Sequence, residues 1–244
     1  MPRFKTEVSA WDTPPVSPTL LAGEVQIWAA PLELNQATLD AFFRTLSASE
    51  RARAERFHFT RDRQFYIAAH GILRDVIGRY LRLPPAELDF RIGPHGKPQL
   101  AARSDGKFLH FNLSHSHELA LIALAADREV GVDIERIQYQ LGASEIAERF
   151  FSPGEGTALR TLPPSEQPSA FFYYWTCKEA FLKACGKGLS APLNSFDVPL
   201  NSSETVLESE GSTWSLRTIP SEEGYAAAVA AQGIGWTTTL WQWR

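Results

Sequence analysis

Apolar positions along the chain change period several times, and each change predicts an element. "GEVQIWAAPLE" from Gly23 reads as a first strand, and Leu39 to Phe57 then reads as helical, with Phe42, Phe43 and Leu46 as its apolar contacts. Phe65, Ala68, Ile72, Val76 and Tyr80 recur at helical spacing, which predicts a helix over Arg61 to Leu83, ended by Pro84 and Pro85. "ELDFRIGPHGKPQL" is a strand broken by glycines and prolines. The stretch from Phe108 to Ile137 predicts two strands joined by a turn near Ala126 to Glu129. A helix from about Ser144 to Phe151, a proline-rich loop from Leu162 to Pro168, and strands around Trp214–Ile219, Tyr225–Ala231 and Trp236–Trp241 complete the reading.

One segment resists a simple assignment. "FYYWTCKEAFLKACGKG" from Phe172 reads as a helix apolar nearly all round, yet it carries Lys178, Glu179 and Lys183. Such a helix is normally buried, and burying charges without partners is costly, so Glu179 and Lys183 are expected to face a polar cleft rather than open solvent. In "VGVDIERI", Asp133 and Glu135 share one face of a strand because side chains alternate. Together with Glu179 they form a set of three carboxylates suited to a hard cation such as Mg²⁺, which favours oxygen ligands and phosphates.

Composition narrows the partners. The 244 residues, 44% of them hydrophobic, can bury a substantial core, and a net charge of −4 argues against a general nucleic-acid binder. The charge is uneven: nine arginines stand against four acids between Arg44 and Arg82, a local +5 that leaves −9 elsewhere. Residues 1–22 show no apolar run resembling a signal peptide and read as a loose, proline-containing arm, and Leu119 to Ala126 is too short to span a membrane. Cys177 and Cys185 fall on one helix, about 12 Å apart by helical rise, beyond disulfide reach. A reducing, cytoplasmic setting is the default expectation.

"VGVDIERI" followed by "WTCKEAFLKACGKGL", and preceded by "GKP" and "FNLSHS", resembles the surfactin-synthetase-type 4'-phosphopantetheinyl transferases over about Leu46 to Val198. The resemblance implies an α+β pseudo-dimer of two similar subdomains, here 23–126 and 127–244, the second carrying the metal site. It implies transfer of the phosphopantetheine arm of coenzyme A to a serine of an apo carrier protein, by a monomer. Asp133, Glu135 and Glu179 match the family's Mg²⁺ ligands, and Lys183 the lysine beside the reacting groups. Glu179, through a water, and Lys183 both remain open as the base. Arg53, Lys97, Ser114, His115 and Lys187 match coenzyme A contacts, Arg53 for the ribose 3'-phosphate, and Ile67 aligns where a family member has a threonine. His110, His115 and His117 lack the cysteine or the spacing of a zinc site. The rival readings are a Mg²⁺-dependent phosphohydrolase and a non-catalytic carrier-protein binder.

Overall fold

The computed structural model describes residues 11–93, 96–101, 109–186, 192–200 and 202–244. The chain opens with β1 (Glu24–Pro31), α1 (Gln36–Thr45), α2 (Ala48–Glu55) and α3 (Thr60–Leu81). The short strands β2 (Phe90–Ile92) and β3 (Pro98–Leu100) come next, then β4 (His110–Ser116), β5 (Leu119–Ala125) and β6 (Val130–Arg136). After α4 (Ala143–Phe150), α5 (Pro153–Thr161) and α6 (Gln167–Ala184), it ends on β7 (Glu204–Ser209), β8 (Ser212–Thr218), β9 (Tyr225–Gln232) and β10 (Thr237–Gln242).

Two four-stranded sheets result, ordered β10-β1-β5-β4 and β6-β9-β8-β7. Each half repeats one plan: a strand, then helices, then a hairpin whose second strand inserts beside the first, giving β1-β5-β4 and β6-β9-β8. The α+β pseudo-dimer is therefore visible in the strand order itself.

Alternation along the strands builds the layers. Val25 and Ile27 of β1 meet Val130, Val132, Ile134 and Val229 in an apolar seam between the two sheets. Trp28 and Ala30 face the other way, toward α1 and α3. On the outer face of the second sheet, Ala228 and Ala230 pack with Cys177, Ala180 and Phe181 of α6. β5 is covered on both faces and is buried at all seven positions, which explains its unbroken apolar sequence.

The structure departs from the sequence reading where local chemistry overrides periodicity. The single helix expected from Leu39 to Phe57 is two helices, because Ser47 and Glu50 form a reciprocal capping box that starts α2 afresh. The helix expected to run to Leu83 stops at Leu81, with Arg82 in the left-handed region and its N–H on Gly78 O. Phe108 to Ile137 holds three strands rather than two: the hairpin turn lies at His117, φ 52°, and residues 126–129 carry the chain from one sheet to the other. α5 and β7 were absent from the sequence reading, although "SPGE" at Ser152 spells the capping box that opens α5.

The final strand belongs to the first sheet, parallel to β1, so the segment expected within the 127–244 subdomain crosses back. Part of the arm expected to be loose is also anchored: Asp12 N donates to Leu240 O and accepts Gln242 N through its own carbonyl, at 3.0 and 2.9 Å. Among the described residues no helix is long and apolar enough to cross a membrane.

Candidate active site

The edges β4 and β6 meet side by side where the sheets join, and side chains stitch them. Asn112, Ser114 and Ser116, two residues apart on β4, are all buried. Asn112 Oδ1 accepts from Val132 N at 2.9 Å, Ser114 Oγ donates to Asp133 Oδ1 at 2.8 Å, and Ser116 Oγ donates to Glu135 Oε2 at 2.8 Å. This period-two polar set in "FNLSHS" was legible in the sequence, but only Ser114 was singled out there.

α6 closes the site from the outer face of the second sheet. It approaches β6 at Gly131, where an added Cβ would fall 2.2 Å from both Ala180 O and Ala184 N. Gly131 thus sets the depth at which Asp133, two residues on, meets Glu179 and Lys183. Gly131→Ala is expected to push strand and helix apart and destabilise the protein by about 3 kcal/mol in chemical denaturation. An unchanged midpoint would show that the helix yields freely.

Lys183 Nζ donates to Asp133 Oδ1 at 2.6 Å and to Ser114 Oγ at 2.9 Å, linking α6, β6 and β4 in one knot. Two oxygens beside it, Asp133 Oδ2 and Glu179 Oε1, are buried without a hydrogen-bond partner among the described residues. Burial raises the pKa of Asp133 above the usual carboxylate range, against the lowering by Lys183 and Ser114. Burial and then the Asp133 charge raise Glu179, and burial, Asp133 and Glu179 push Glu135 up to about 7. The three carboxylates therefore share a deficit of positive charge that Lys183 alone does not fill. Among the described residues, no group of three or more His, Cys, Asp or Glu side chains is placed to hold a metal ion by itself.

The charges on the apolar helix separate into two roles. Lys178 is fully buried on another side of α6, paired with Glu155 Oε1 at 2.8 Å and bonded to Leu193 O and Phe196 O at 2.7 and 2.5 Å. Glu155 also accepts from Val198 N at 2.8 Å, so this pair fastens the 193–198 segment to the second core. Glu179 and Lys183 turn instead to the sheet junction.

The remaining sequence candidates are spread around this centre. His115 has an exposed edge, yet the protein packed around its ring, then His70 and Lys183, push its pKa down to about 4. Arg53 is exposed on α2 with its guanidinium 5.9 Å from the centre of the Tyr66 ring. Ile67, aligned with a threonine near coenzyme A, is buried in the first core; its neighbour Tyr66 is the residue beside Arg53. Lys97 Nζ binds Glu129 Oε2, Val130 O and Ala184 O at 2.6, 2.9 and 3.2 Å, tying the β2–β3 hairpin to β6 and the end of α6. Lys187 lies outside the described residues.

Residues 33–129 match the sequence profile of the 4'-phosphopantetheinyl transferase N-terminal region, and residues 129–230 that of the 4'-phosphopantetheinyl transferase superfamily. Over 233 residues the chain is 39% identical to the 4'-phosphopantetheinyl transferase HetI of Nostoc sp., spanning 96% of this chain and 98% of that relative. The chain belongs to the 4'-phosphopantetheinyl transferase superfamily. It is also 33% identical to the 4'-phosphopantetheinyl transferase Sfp of Bacillus subtilis, over 81% of this chain and 87% of Sfp. A crystal structure of holo-acyl-carrier-protein synthase from Thermotoga maritima aligns with 44% of this chain and 64% of that one, at 20% identity and a TM-score of 0.29, too loose a likeness to define a shared frame. The two profiles meet at Glu129, at the link between the sheets, so this transferase has its carboxylates and Lys183 in the second matched region and Arg53, Ser114 and His115 in the first.

Proposed function

We propose that this transferase moves the 4'-phosphopantetheine arm of coenzyme A to a serine hydroxyl of an apo carrier protein and releases adenosine 3',5'-bisphosphate. The observation that carries the reading is the knot of Lys183, Asp133 and Ser114 beside the unpartnered oxygens of Asp133 and Glu179. An all-oxygen donor set with surplus negative charge fits Mg²⁺, which keeps several waters and binds substrate phosphates rather than needing a full protein cage. Asp133, Glu135 and Glu179 would hold it, and once bound the ion would neutralise charge on the pyrophosphate.

The chain's own groups divide the remaining work. The serine oxygen forms a bond to the phosphorus bearing the arm, as the bond from that phosphorus to the bisphosphate oxygen breaks. Lys183, fixed on Asp133 and Ser114, sets a positive charge beside the phosphates. Of the two unpartnered oxygens, Asp133 Oδ2 belongs to a carboxylate already paired with Lys183, so we assign Glu179, through a bridging water, as the group that takes the serine proton. One chain supplies both sheets and every group of the site, which supports action as a monomer, and we place that action in the cytoplasm.

Incubation with coenzyme A, Mg²⁺ and several apo carriers, followed by intact-mass measurement, is expected to show a carrier heavier by one phosphopantetheine arm. Cleavage of coenzyme A with no carrier modified would overturn this reading in favour of a phosphohydrolase.

A further inference from the structure

β4 and β6 are each the edge strand of its own sheet, and where they run side by side the backbone of β6 is held by side chains. Val132 N donates to Asn112 Oδ1 at 2.9 Å, Arg136 N donates to Ser116 Oγ at 3.1 Å, and Val130 O accepts from Lys97 Nζ at 2.9 Å. The free edge of β6 thus keeps its hydrogen bonds without a partner strand.

Two serines of β4 also hold carboxylates. Ser114 Oγ accepts from Lys183 Nζ at 2.9 Å and donates to Asp133 Oδ1 at 2.8 Å. Ser116 Oγ repeats the pattern one rung on, accepting from Arg136 N and donating to Glu135 Oε2 at 2.8 Å. A hydroxyl has a single proton, and a donor already seated on its oxygen leaves that proton to the carboxylate. His117 Nδ1 lies 3.4 Å from Ser116 Oγ, at the outer limit of a hydrogen bond, so the shorter contact to Glu135 prevails.

Glu135 is the carboxylate in most need of such a hold. It is only partly buried, whereas Asp133 and Glu179 are 2% and 9% exposed, and the charges of both bear on it. A carboxylate with room to move and two like charges beside it turns toward solvent unless a hydrogen bond restrains it.

We infer that Ser116 is a positioning residue of the transfer reaction, which holds Glu135 Oε2 so that Glu135 stays turned toward Asp133 and Glu179 and its other oxygen is ready for a divalent cation. The inference rests on the reading that these three carboxylates hold Mg²⁺. That ion demands near-ideal octahedral geometry, so its affinity depends on how well each ligand is placed before it arrives. Ser116 touches neither substrate nor cation and acts through Glu135 alone.

Titration of the full chain with Mn²⁺ alone, followed by electron paramagnetic resonance, tests this without turnover, since Mn²⁺ takes the same oxygen ligands. The wild type is expected to bind the ion, and Ser116→Ala to bind it about tenfold more weakly or worse. Ser116→Cys, which keeps a small side chain but only a weak donor, is expected to behave as Ser116→Ala does, so a stability loss in one variant leaves the other to decide. Ser116→Thr keeps the hydroxyl and is expected to bind as the wild type does. In carrier modification, Ser116→Ala is expected to need correspondingly more Mg²⁺ and to approach the wild-type rate once Mg²⁺ is saturating. Unchanged Mn²⁺ affinity in folded Ser116→Ala or Ser116→Cys, or a rate that excess Mg²⁺ does not restore, would overturn the role of Ser116. A wild type that takes up no Mn²⁺ would overturn the cation reading of the three carboxylates itself.

Discussion

Asp133→Asn is expected to lower carrier modification by more than about a hundredfold, the consequence of removing several kcal/mol of transition-state charge stabilisation, while the protein melts no earlier than the wild type. The two halves of this outcome have one cause. Asp133 is 2% exposed, and burial raises its pKa despite Lys183 and Ser114. With the folded pKa above the unfolded one, the ionised carboxylate opposes folding at neutral pH, and that penalty disappears as pH falls below the unfolded value. Asparagine keeps an oxygen for Ser114 and Lys183 but removes the charge. A carboxylate retained at such a cost serves chemistry rather than packing. Melting curves and carrier modification measured on the same sample check it; a variant that unfolds early, or one with near-normal turnover, would count against the assignment.

Glu179→Gln is expected to be as damaging to turnover, for a different reason. Glu179 is 9% exposed on a helix otherwise packed with aromatic rings, and its Oε1 has no hydrogen-bond partner among the described residues. The amide has nearly the same volume and cannot take a proton from the serine, so transfer should again fall by about a hundredfold or more, in line with the usual contribution of a general base. Were the residue a surface partner for Lys183, the same change would cost under about 1 kcal/mol and leave activity intact.

Much of the fold was legible because apolar periodicity and burial coincide. β1, α3, β8 and β9 are single-period segments whose apolar faces match the observed cores. The errors fall where polar side chains or tertiary pairing decide. Ser47 and Glu50 divide one apparent helix into two, and nothing in the alternation of "TTTLWQ" reveals that β10 returns to pair with β1. β7, with alternating exposure at an outer edge, has too few apolar residues to announce itself.

The site was legible in a different way. Asp133, Glu135, Glu179 and Lys183 stood out as charges set into apolar elements, and the structure brings them together with Ser114 at the sheet junction. Lys178 stood out equally, yet it lies against Glu155 in the core, because a helical wheel gives the direction of a side chain and not what waits there. The bond from Arg74 Nε to Glu50 Oε2, 3.0 Å long, was invisible, since the two residues are far apart in sequence and each looks like one more member of a charged helical face.

The central claim is that the junction of β4, β6 and α6 transfers phosphopantetheine with Glu179 as an essential group. The most direct measurement is a time course of carrier mass for the wild type and Glu179→Gln, with coenzyme A and Mg²⁺ in excess and with both proteins shown by thermal melting to be folded. The account predicts that the wild type converts the carrier to the heavier species while Glu179→Gln leaves it unmodified over the same interval. A folded Glu179→Gln that modifies the carrier at the wild-type rate would contradict it.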